Sequence, residues 1–280
     1  MDKCPDCGKF ERLYDNVEVC RQCGLGRTTS ALTPDDAQNY ITGAAFDPEV
    51  SDWRRRSFLH LHRKYLRPRP RGKSLDVGCG RGQFVEILLE AGWDAYGLDA
   101  YREPRENRRY MRGTLASIDT NASYDLVSMI HSLEHMVNPA LMLERAWKIL
   151  RPNGLLLVVV PNFAGQWSVN CGPDWHMLNT QEHSFHYTDR ALRRLLENAG
   201  FRVRSSDTHS GYAPSSWQQQ LGRNGFYERG WGSIRPIRSL VFRANVAARP
   251  ILNFFLDVTK RGAEIIALAE KAGSQMESKR

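Results

Sequence analysis

Gly78, Gly80 and Gly82 lie close together in the segment SLDVGCGRGQFVEILLEAGWDAYGLDA, which runs from Ser74 to Ala100. A strand-like apolar run precedes these glycines, and a run with apolar residues at helical spacing follows them. A second strand-like run then ends at Asp99. Because a strand, a glycine turn, a helix and another strand form the unit from which parallel sheets are built, the segment predicts an α/β fold with a ligand at the turn.

The same alternation continues along the rest of the chain. Helical spacing recurs from Trp53 to Leu66, in NPALMLERAWKIL and in TDRALRRLLENAG, and strand-like runs are YDLVSMI, LLLVVVPN, FRVRSSDT and EIIALAEK. This pattern predicts a mostly parallel sheet with helices on both faces. We expect a small module at residues 1–27, a polar linker at 28–51 and the main domain at 52–280.

Length and charge limit the function. A chain of 280 residues can bury one large core and a small appendage. It has no apolar signal-peptide core and no apolar run of about 18 residues, so we expect a cytoplasmic protein.

The net charge of +8 is concentrated in residues 52–73 and 213–261. Such segments suit phosphate, anionic lipid or nucleic acid, and solvated helix faces are an equally good explanation.

The glycine spacing distinguishes between ligands. Gly78 and Gly80 are followed by Gly82, whereas the dinucleotide fingerprint requires a glycine at the position of Gln83. The phosphate-loop pattern also fails, because no Gly-Lys-Ser/Thr follows. Asp76 would repel a pyrophosphate and suits a ligand that carries an ammonium and a sulfonium. Asp99, at the end of the next strand, is placed to accept hydrogen bonds from two ribose hydroxyls. Together these features predict S-adenosylmethionine.

Several segments resemble successive motifs of the class I S-adenosylmethionine-dependent methyltransferases. These segments are LDVGCGRGQF, YGLDA, SYDLVSMIHSLEHMVNP and ILRPNGLLLVVVPN, and the match covers about residues 53–212 plus the final strand. The resemblance implies a seven-stranded Rossmann-like sheet whose last strand is antiparallel, with helices on both faces. It also implies that Asp76, Gly78, Gly80 and Gly82 contact the methionine part of the cofactor and that Asp99 contacts the ribose.

Two C-x-x-C-G motifs lie near the N-terminus, at Cys4 and Cys7 and at Cys20 and Cys23, separated by 12 residues. Paired thiolates on tight turns supply the tetrahedral sulfur ligands that suit zinc, and redox disulfides or an iron site are the alternatives. Four protein ligands leave no open coordination position, so the metal would be structural. The motifs therefore predict a zinc-ribbon-like module in residues 1–27.

Two clusters of candidate catalytic residues follow the fourth and fifth strands: His131, Glu134 and His135 in HSLEH, and Glu182, His183 and His186 in EHSFHYT. If HSLEH is helical, its three polar residues share one face. One interpretation is a general base, His183 or His135. A second is a divalent metal on His131, Glu134, His135 and His183. A third is purely structural, with the histidines bonded to the backbone.

A resemblance supports the metal interpretation only in part. HSLEH is similar to the Glu-x-x-Glu-His motif of the metal-dependent ubiquinone-pathway and small-RNA 2′-O-methyltransferases, and EHSFHYT is similar to the second ligand stretch of the latter. His131 stands where those families have their first glutamate. We therefore favour the base.

Residues 213–257 form a basic, amphipathic insertion before the last strand. It could contact an anionic membrane surface, which would make the protein peripheral to the membrane, or it could serve as a substrate lid or a dimer face.

The sequence predicts a methyltransferase, and we expect O-methylation of a small-molecule or glycan acceptor. A sugar of a nucleotide- or lipid-linked glycan, or a related natural product, is favoured because cysteine-paired modules before such domains resemble sugar methyltransferases. The alternatives are an RNA methyltransferase, since nucleic acid also fits the basic helices, and a non-catalytic S-adenosylmethionine-binding protein.

Overall fold

The computed structural model describes residues 3–4, 8–29, 48–67, 71–101, 109–210 and 251–272. Its helices are α1 (Pro48–Leu61, continued by a π-helical turn at His62–Leu66), α2 (Gln83–Glu90), α3 (Pro139–Ile149), α4 (Gln166–Cys171), α5 (Asp189–Asn198) and α6 (residues 251–258). Its strands are β1 (Lys3–Cys4), β2 (Gly8–Tyr14), β3 (Val17–Cys20), β4 (Gly26–Thr28), β5 (Lys73–Val77), β6 (Asp94–Asp99), β7 (Tyr110–Arg112), β8 (Tyr124–Ile130), β9 (Leu150–Pro161), β10 (Phe185–His186), β11 (Phe201–His209) and β12 (Glu264–Lys271).

The larger sheet has seven strands in the order β11-β12-β9-β8-β5-β6-β7. Neighbouring strands from β9 to β7 pair in parallel, whereas β12 pairs antiparallel with both β9 and β11. This topology confirms the expected Rossmann-like α/β class, including the antiparallel last strand. The carboxyl ends of β5, β6, β8 and β9 meet at one edge, where such sheets bind ligands.

Helices cover both faces of this sheet, as the alternating sequence predicts. On one face α3 and α5 pack Leu143, Ala146 and Leu192 into the core, and on the other α2 packs Phe84 and Leu88 beside residues of α1. Strand β8 and residues 154–161 of β9 lie between these layers and are mostly buried. Burial on both faces explains why YDLVSMI and LLLVVVPN are continuous apolar runs rather than alternating ones.

The smaller sheet joins the N-terminal residues to the main domain. Its strand order is β1-β2-β3-β4-β10, and β10 comes from the segment between β9 and α5. Strand β4 continues to Thr28, one residue past the predicted end of the N-terminal module, and residues 30–47 of the expected linker lie outside the described residues. The N-terminal module is therefore built into the main domain through a shared sheet.

Most of the basic insertion, residues 213–250, lies outside the described part of the chain. Its last residues form α6, whose exposed apolar side chains are Ile251, Leu252, Phe254, Phe255 and Val258. Within the described ranges, no helix is both long enough and apolar enough to cross a membrane. Membrane contact, a lid and a dimer face all remain predictions for this insertion.

Candidate functional site

The glycine loop after β5 forms a cradle of backbone atoms. Gly78, Gly80 and Gly82 all have positive φ angles, of 74°, 49° and 80°. A Cβ at Gly78 would lie 2.5 Å from the Cβ of Ser132, and one at Gly82 would lie 2.4 Å from the ring of Tyr110. At Gly80 a Cβ would meet nothing within 4 Å, so this residue faces open space. Side chains of the protein therefore pack against the loop at Gly78 and Gly82, whereas at Gly80 a ligand has room to approach the backbone.

Asp99 ties this loop to the end of β6. One carboxylate oxygen accepts a hydrogen bond from Gly80 N at 2.9 Å, and the other accepts one from Tyr101 N at 3.0 Å. A carboxylate has about four acceptor positions, so each oxygen can still accept another bond. The side chain therefore stands beside the cradle with capacity for two hydroxyl donors, as predicted for a ribose.

Asp76 lies at the end of β5 and is only 4% exposed. Burial raises the pKa of this carboxyl to about 7, and Asp99 adds to the increase, whereas a 2.6 Å hydrogen bond from Ser128 Oγ opposes it. A neighbouring cation would stabilise the ionised form. The predicted contact with a cationic ligand therefore fits the charge of this residue.

The first catalytic cluster is not a regular helix. Residues Leu133–His135 form one 3-10 turn, and His131 precedes it with a left-handed φ of 51°. The condition for a shared helical face is therefore not met, yet the residues still converge. Glu134 is 1% exposed and faces His131, whose Nδ1 lies 3.4 Å from Oε1. Neither oxygen of Glu134 has a hydrogen-bond partner among the described residues.

His135 and His183 lie close to Glu134, and one ring nitrogen of each histidine lies beside a backbone carbonyl. Nδ1 of His135 lies 3.1 Å from Glu182 O, and Nδ1 of His183 lies 3.0 Å from Met177 O. A carbonyl only accepts, so each Nδ1 carries a proton, and in a neutral ring Nε2 then keeps its lone pair. Candidate ligand atoms of Glu134, His135 and His183 all lie within 4.8 Å of one another. Burial lowers the pKa of His183 to about 4, so its ring is neutral at pH 7.

His131 has a different role from the one that the metal interpretation gave it. Its two ring nitrogens face two carboxylates, Nδ1 toward Glu134 and Nε2 toward Glu264 at 3.2 Å. Burial would lower its pKa, but these carboxylates outweigh that effect and raise the pKa to about 10. An imidazolium cannot bind a metal ion. Both ring nitrogens of His131 face carboxylates, and the group whose ligand atoms could hold a cation is Glu134, His135 and His183.

Sequence reasoning missed Glu264, which is 5% exposed and begins β12. Because β12 is antiparallel to β9, its first residue lies at the edge where the parallel strands end. The predicted antiparallel last strand could have revealed this acidic residue. His186, a predicted catalytic residue, is 4% exposed and lies outside the group of three. Burial lowers the pKa of His186 to about 3, so this ring is neutral.

Comparison with known proteins identifies the family of this chain. The sequence profile of the family described as "Methyltransferase domain" matches residues 23–206. The chain belongs to this family and is an S-adenosylmethionine-dependent methyltransferase. The ubiquinone biosynthesis O-methyltransferase of Aeromonas salmonicida is 30% identical over 170 residues, which cover 54% of this chain and 71% of that protein. A probable S-adenosylmethionine-dependent methyltransferase of Mycolicibacterium smegmatis is 29% identical over 139 residues, 46% of this methyltransferase and 51% of its relative.

Solved structures share the fold at low sequence identity. An S-adenosylmethionine-dependent methyltransferase of Thermotoga maritima, a possible histamine N-methyltransferase, superposes with a TM-score of 0.53 and 15% identity over 85% of this chain and 100% of that one. The 1,6-didemethyltoxoflavin-N1-methyltransferase of Burkholderia thailandensis gives a TM-score of 0.52 and 16% identity over 94% and 99% of the two chains. These likenesses support the fold of the methyltransferase and do not identify its acceptor.

We predict that Asp99→Ala weakens S-adenosylmethionine binding by about 1.5–3 kcal/mol, the range for lost hydrogen bonds to a charged group. Calorimetry measures the affinity directly. Asp94→Ala is the matched control. Asp94 begins the same strand at the end away from the glycine loop, where it is exposed and forms an ion pair with Arg109. Equal affinities in the Asp99→Ala variant and the wild type would remove Asp99 from the cofactor site, and tight binding of NAD by the wild type would contradict the cofactor assignment.

A second prediction follows from the raised pKa of Asp76. Below pH 7 this carboxyl is protonated in the cofactor-free protein, and a cationic cofactor must displace the proton. Affinity for S-adenosylmethionine should therefore fall as the pH drops from 8 toward 5.5, approaching about tenfold per pH unit below the pKa. In Asp76→Asn this component of the pH dependence should be lost. If the affinity of the wild type and of Asp76→Asn changed equally with pH, Asp76 would not respond to the charge of the cofactor.

Proposed function

We propose that this methyltransferase transfers the methyl group to a hydroxyl oxygen of a small-molecule acceptor. The supporting observation is the group formed by Glu134, His135 and His183 at the carboxyl edge of the sheet. Oxygen methylation needs a group that takes the hydroxyl proton, because the sulfonium of the cofactor is already an activated leaving group. A buried neutral histidine beside a buried carboxylate provides such a group.

In this proposal His183 is the general base. Its Nδ1 proton is held by Met177 O, which leaves Nε2 to accept the proton of the acceptor. The Glu134 carboxylate favours the imidazolium that forms, because an opposite charge in a buried site strengthens the protonated state. His131 holds Glu134 in its ionised form, since the contact with His131 lowers the pKa of Glu134 against the effect of burial.

The same three residues also fit a divalent cation. Two imidazoles whose Nδ1 protons are fixed by carbonyl groups, together with a carboxylate that lacks hydrogen bonds, are a common ligand set for such ions. A cation there would act as a Lewis acid that lowers the pKa of the acceptor hydroxyl. The ligands would be Glu134, His135 and His183, without His131.

A third prediction separates base from cation. If His183 acts as the base, chelation with EDTA at levels that spare thiolate-bound zinc should leave methyl transfer intact, and His183→Ala should lower kcat by about 10²–10⁴-fold. His62→Ala, a histidine that follows α1, is the matched control. If a cation is needed, chelation abolishes activity and added magnesium, manganese or cobalt restores it. Full activity in both His183→Ala and His135→Ala would contradict both alternatives.

The acceptor is proposed from two sources. Several relatives are ubiquinone biosynthesis O-methyltransferases, which supports a hydroxylated intermediate of ubiquinone biosynthesis as one candidate. The cysteine-rich N-terminus supports a sugar of a nucleotide- or lipid-linked glycan, by resemblance alone. A transfer assay with labelled S-adenosylmethionine and a panel of hydroxylated ubiquinone precursors, nucleotide sugars, lipid-linked glycans and RNA tests these classes. No transfer to any of them would favour a protein that only binds the cofactor.

A structural zinc ion is a further part of the proposal. Strand β1 ends at Cys4, which pairs with Gly8, and strand β3 ends at Cys20, which pairs with Phe10 of the same neighbouring strand. The two cysteine turns therefore lie at one end of the small sheet. Cys20 and Cys23 are buried, and Cys7 lies outside the described residues. Zinc would be held by Cys4, Cys7, Cys20 and Cys23 and would stabilise a module with little apolar core.

We accordingly predict about one zinc ion per chain in the purified protein, measured by elemental analysis. Cys20→Ser should lower the zinc content and the melting temperature. Cys171→Ser changes a buried cysteine outside the two motifs and should keep the zinc. Zinc-free protein with an ordered small sheet would contradict the assignment.

A further inference from the structure

We propose that Thr28 of the small sheet is a positioning residue of the methyl-transfer site, acting through His183 and His186. The inference rests on the proposed role of His183. Thr28 Oγ1 donates a hydrogen bond to His183 O at 2.6 Å and lies 3.1 Å from Nε2 of His186. The backbone N–H of Thr28 donates to Ser184 O at 3.0 Å. One residue of the N-terminal region thus contacts three residues of the histidine stretch.

The hydroxyl of Thr28 also sets the tautomer of His186. A hydroxyl has one proton, and the carbonyl of His183 can only accept it. The oxygen of Thr28 must then accept from His186, so the proton of that neutral ring lies on Nε2. His186 thus has the opposite tautomer to His183, whose proton lies on Nδ1.

The histidine stretch is held from two sides. Strand β10 pairs antiparallel with β4 on one side, where His186 is opposite Gly26. On the other side Ser184 N donates to the backbone carbonyl of Glu134 at 2.8 Å. The distance between the His183 ring and the Glu134 carboxylate therefore depends on both attachments, and Thr28 adds side-chain and backbone hydrogen bonds to the one on the β4 side.

Close packing keeps β4 in this register. A Cβ at Gly26 would lie 2.9 Å from the ring of Phe163 and 3.0 Å from the Cβ of His186, so only glycine fits there. In the cysteine turn that precedes β4, the carbonyl of Cys23 accepts a 2.8 Å hydrogen bond from Thr188 Oγ1. The same hydroxyl oxygen accepts from Ala191 N, because Thr188 is the N-cap of α5. The cysteine turn and the helix that follows the histidine stretch are therefore joined directly.

The rest of the small sheet packs on the segment between β9 and β10. Val17 is fully buried against Cys171, Trp175 and Leu178. Asn16 donates a 2.7 Å side-chain hydrogen bond to Thr180. This segment contains Met177, whose carbonyl holds the His183 ring. The small sheet thus supports His183 in two ways, by packing on the segment that contains Met177 and through the hydrogen bonds of Thr28. We therefore count the small sheet as part of the transfer site.

The test uses full-length Thr28→Val, which keeps the shape of the side chain and removes its hydroxyl. Thr28→Ser restores the hydroxyl, and Thr29→Val makes the same chemical change at the adjacent exposed residue. Ring ¹⁵N NMR at one pH reports the tautomer of His186 without any acceptor. Calorimetry with S-adenosylmethionine reports cofactor affinity, and transfer to an acceptor from the panel reports kcat.

We expect Thr28→Val to mix the His186 tautomers and to lower kcat by about tenfold or more, because small displacements of a reacting group cost large factors in rate. Affinity for S-adenosylmethionine should not change. Thr28→Ser should recover most of kcat and the wild-type ¹⁵N pattern, and Thr29→Val should match the wild type. An unchanged kcat in Thr28→Val, or an equal loss in Thr28→Ser, would overturn the proposal.

Two measurements keep the test decisive. If Thr28→Val fails to fold, wild-type NMR must still show contacts between the Thr28 methyl group and the His186 ring, and their absence refutes the geometry. If the wild type methylates none of the acceptors, the proposed function fails. In that case the ¹⁵N pattern of His186 in Thr28→Val still decides whether Thr28 sets this histidine, and an unchanged pattern refutes the proposal.

Discussion

Glu134 is a buried carboxylate at the carboxyl edge of the sheet, and the surrounding groups are arranged to keep it ionised. An isolated charge in such a place is strongly disfavoured, so it needs cations or hydrogen-bond donors nearby. His131 supplies a positive charge that lies between Glu134 and Glu264. Candidate ligand atoms in the rings of His135 and His183 lie within 4.8 Å of an oxygen of the Glu134 carboxylate. Because Ser184 binds the backbone of Glu134, the same residue also anchors the histidine stretch.

The cofactor side of the site depends on a different constraint, which is space at the backbone. Gly78 and Gly82 are needed because Ser132 and Tyr110 approach closely, and Gly80 leaves its outer face open. Asp99 then fixes the loop by accepting from Gly80 N. The loop and the carboxylate are therefore one unit, which explains why residues 19 positions apart in the sequence can form a single binding surface.

The N-terminal region shows where sequence boundaries differ from structural ones. The cysteine spacing indicates a separate module, whereas the structure gives its sheet a strand from the main domain. Only three residues form β4, yet Thr28 in that strand contacts the backbone and ring of two histidines. Such contacts join residues about 155 positions apart and leave no local pattern in the sequence.

The sequence by itself determined the α/β class, nearly all strands and helices of the larger sheet, the glycine loop and the place of Asp99 at the end of the next strand, because hydrophobic periodicity and glycine turns are local signals. Tertiary structure decided the rest. The tautomers of His135 and His183, the charge of His131 between Glu134 and Glu264, and the support from Thr28 arise from contacts between distant segments. The ionisation of a buried group is set by what folding brings beside it, so residue spacing alone cannot reveal it.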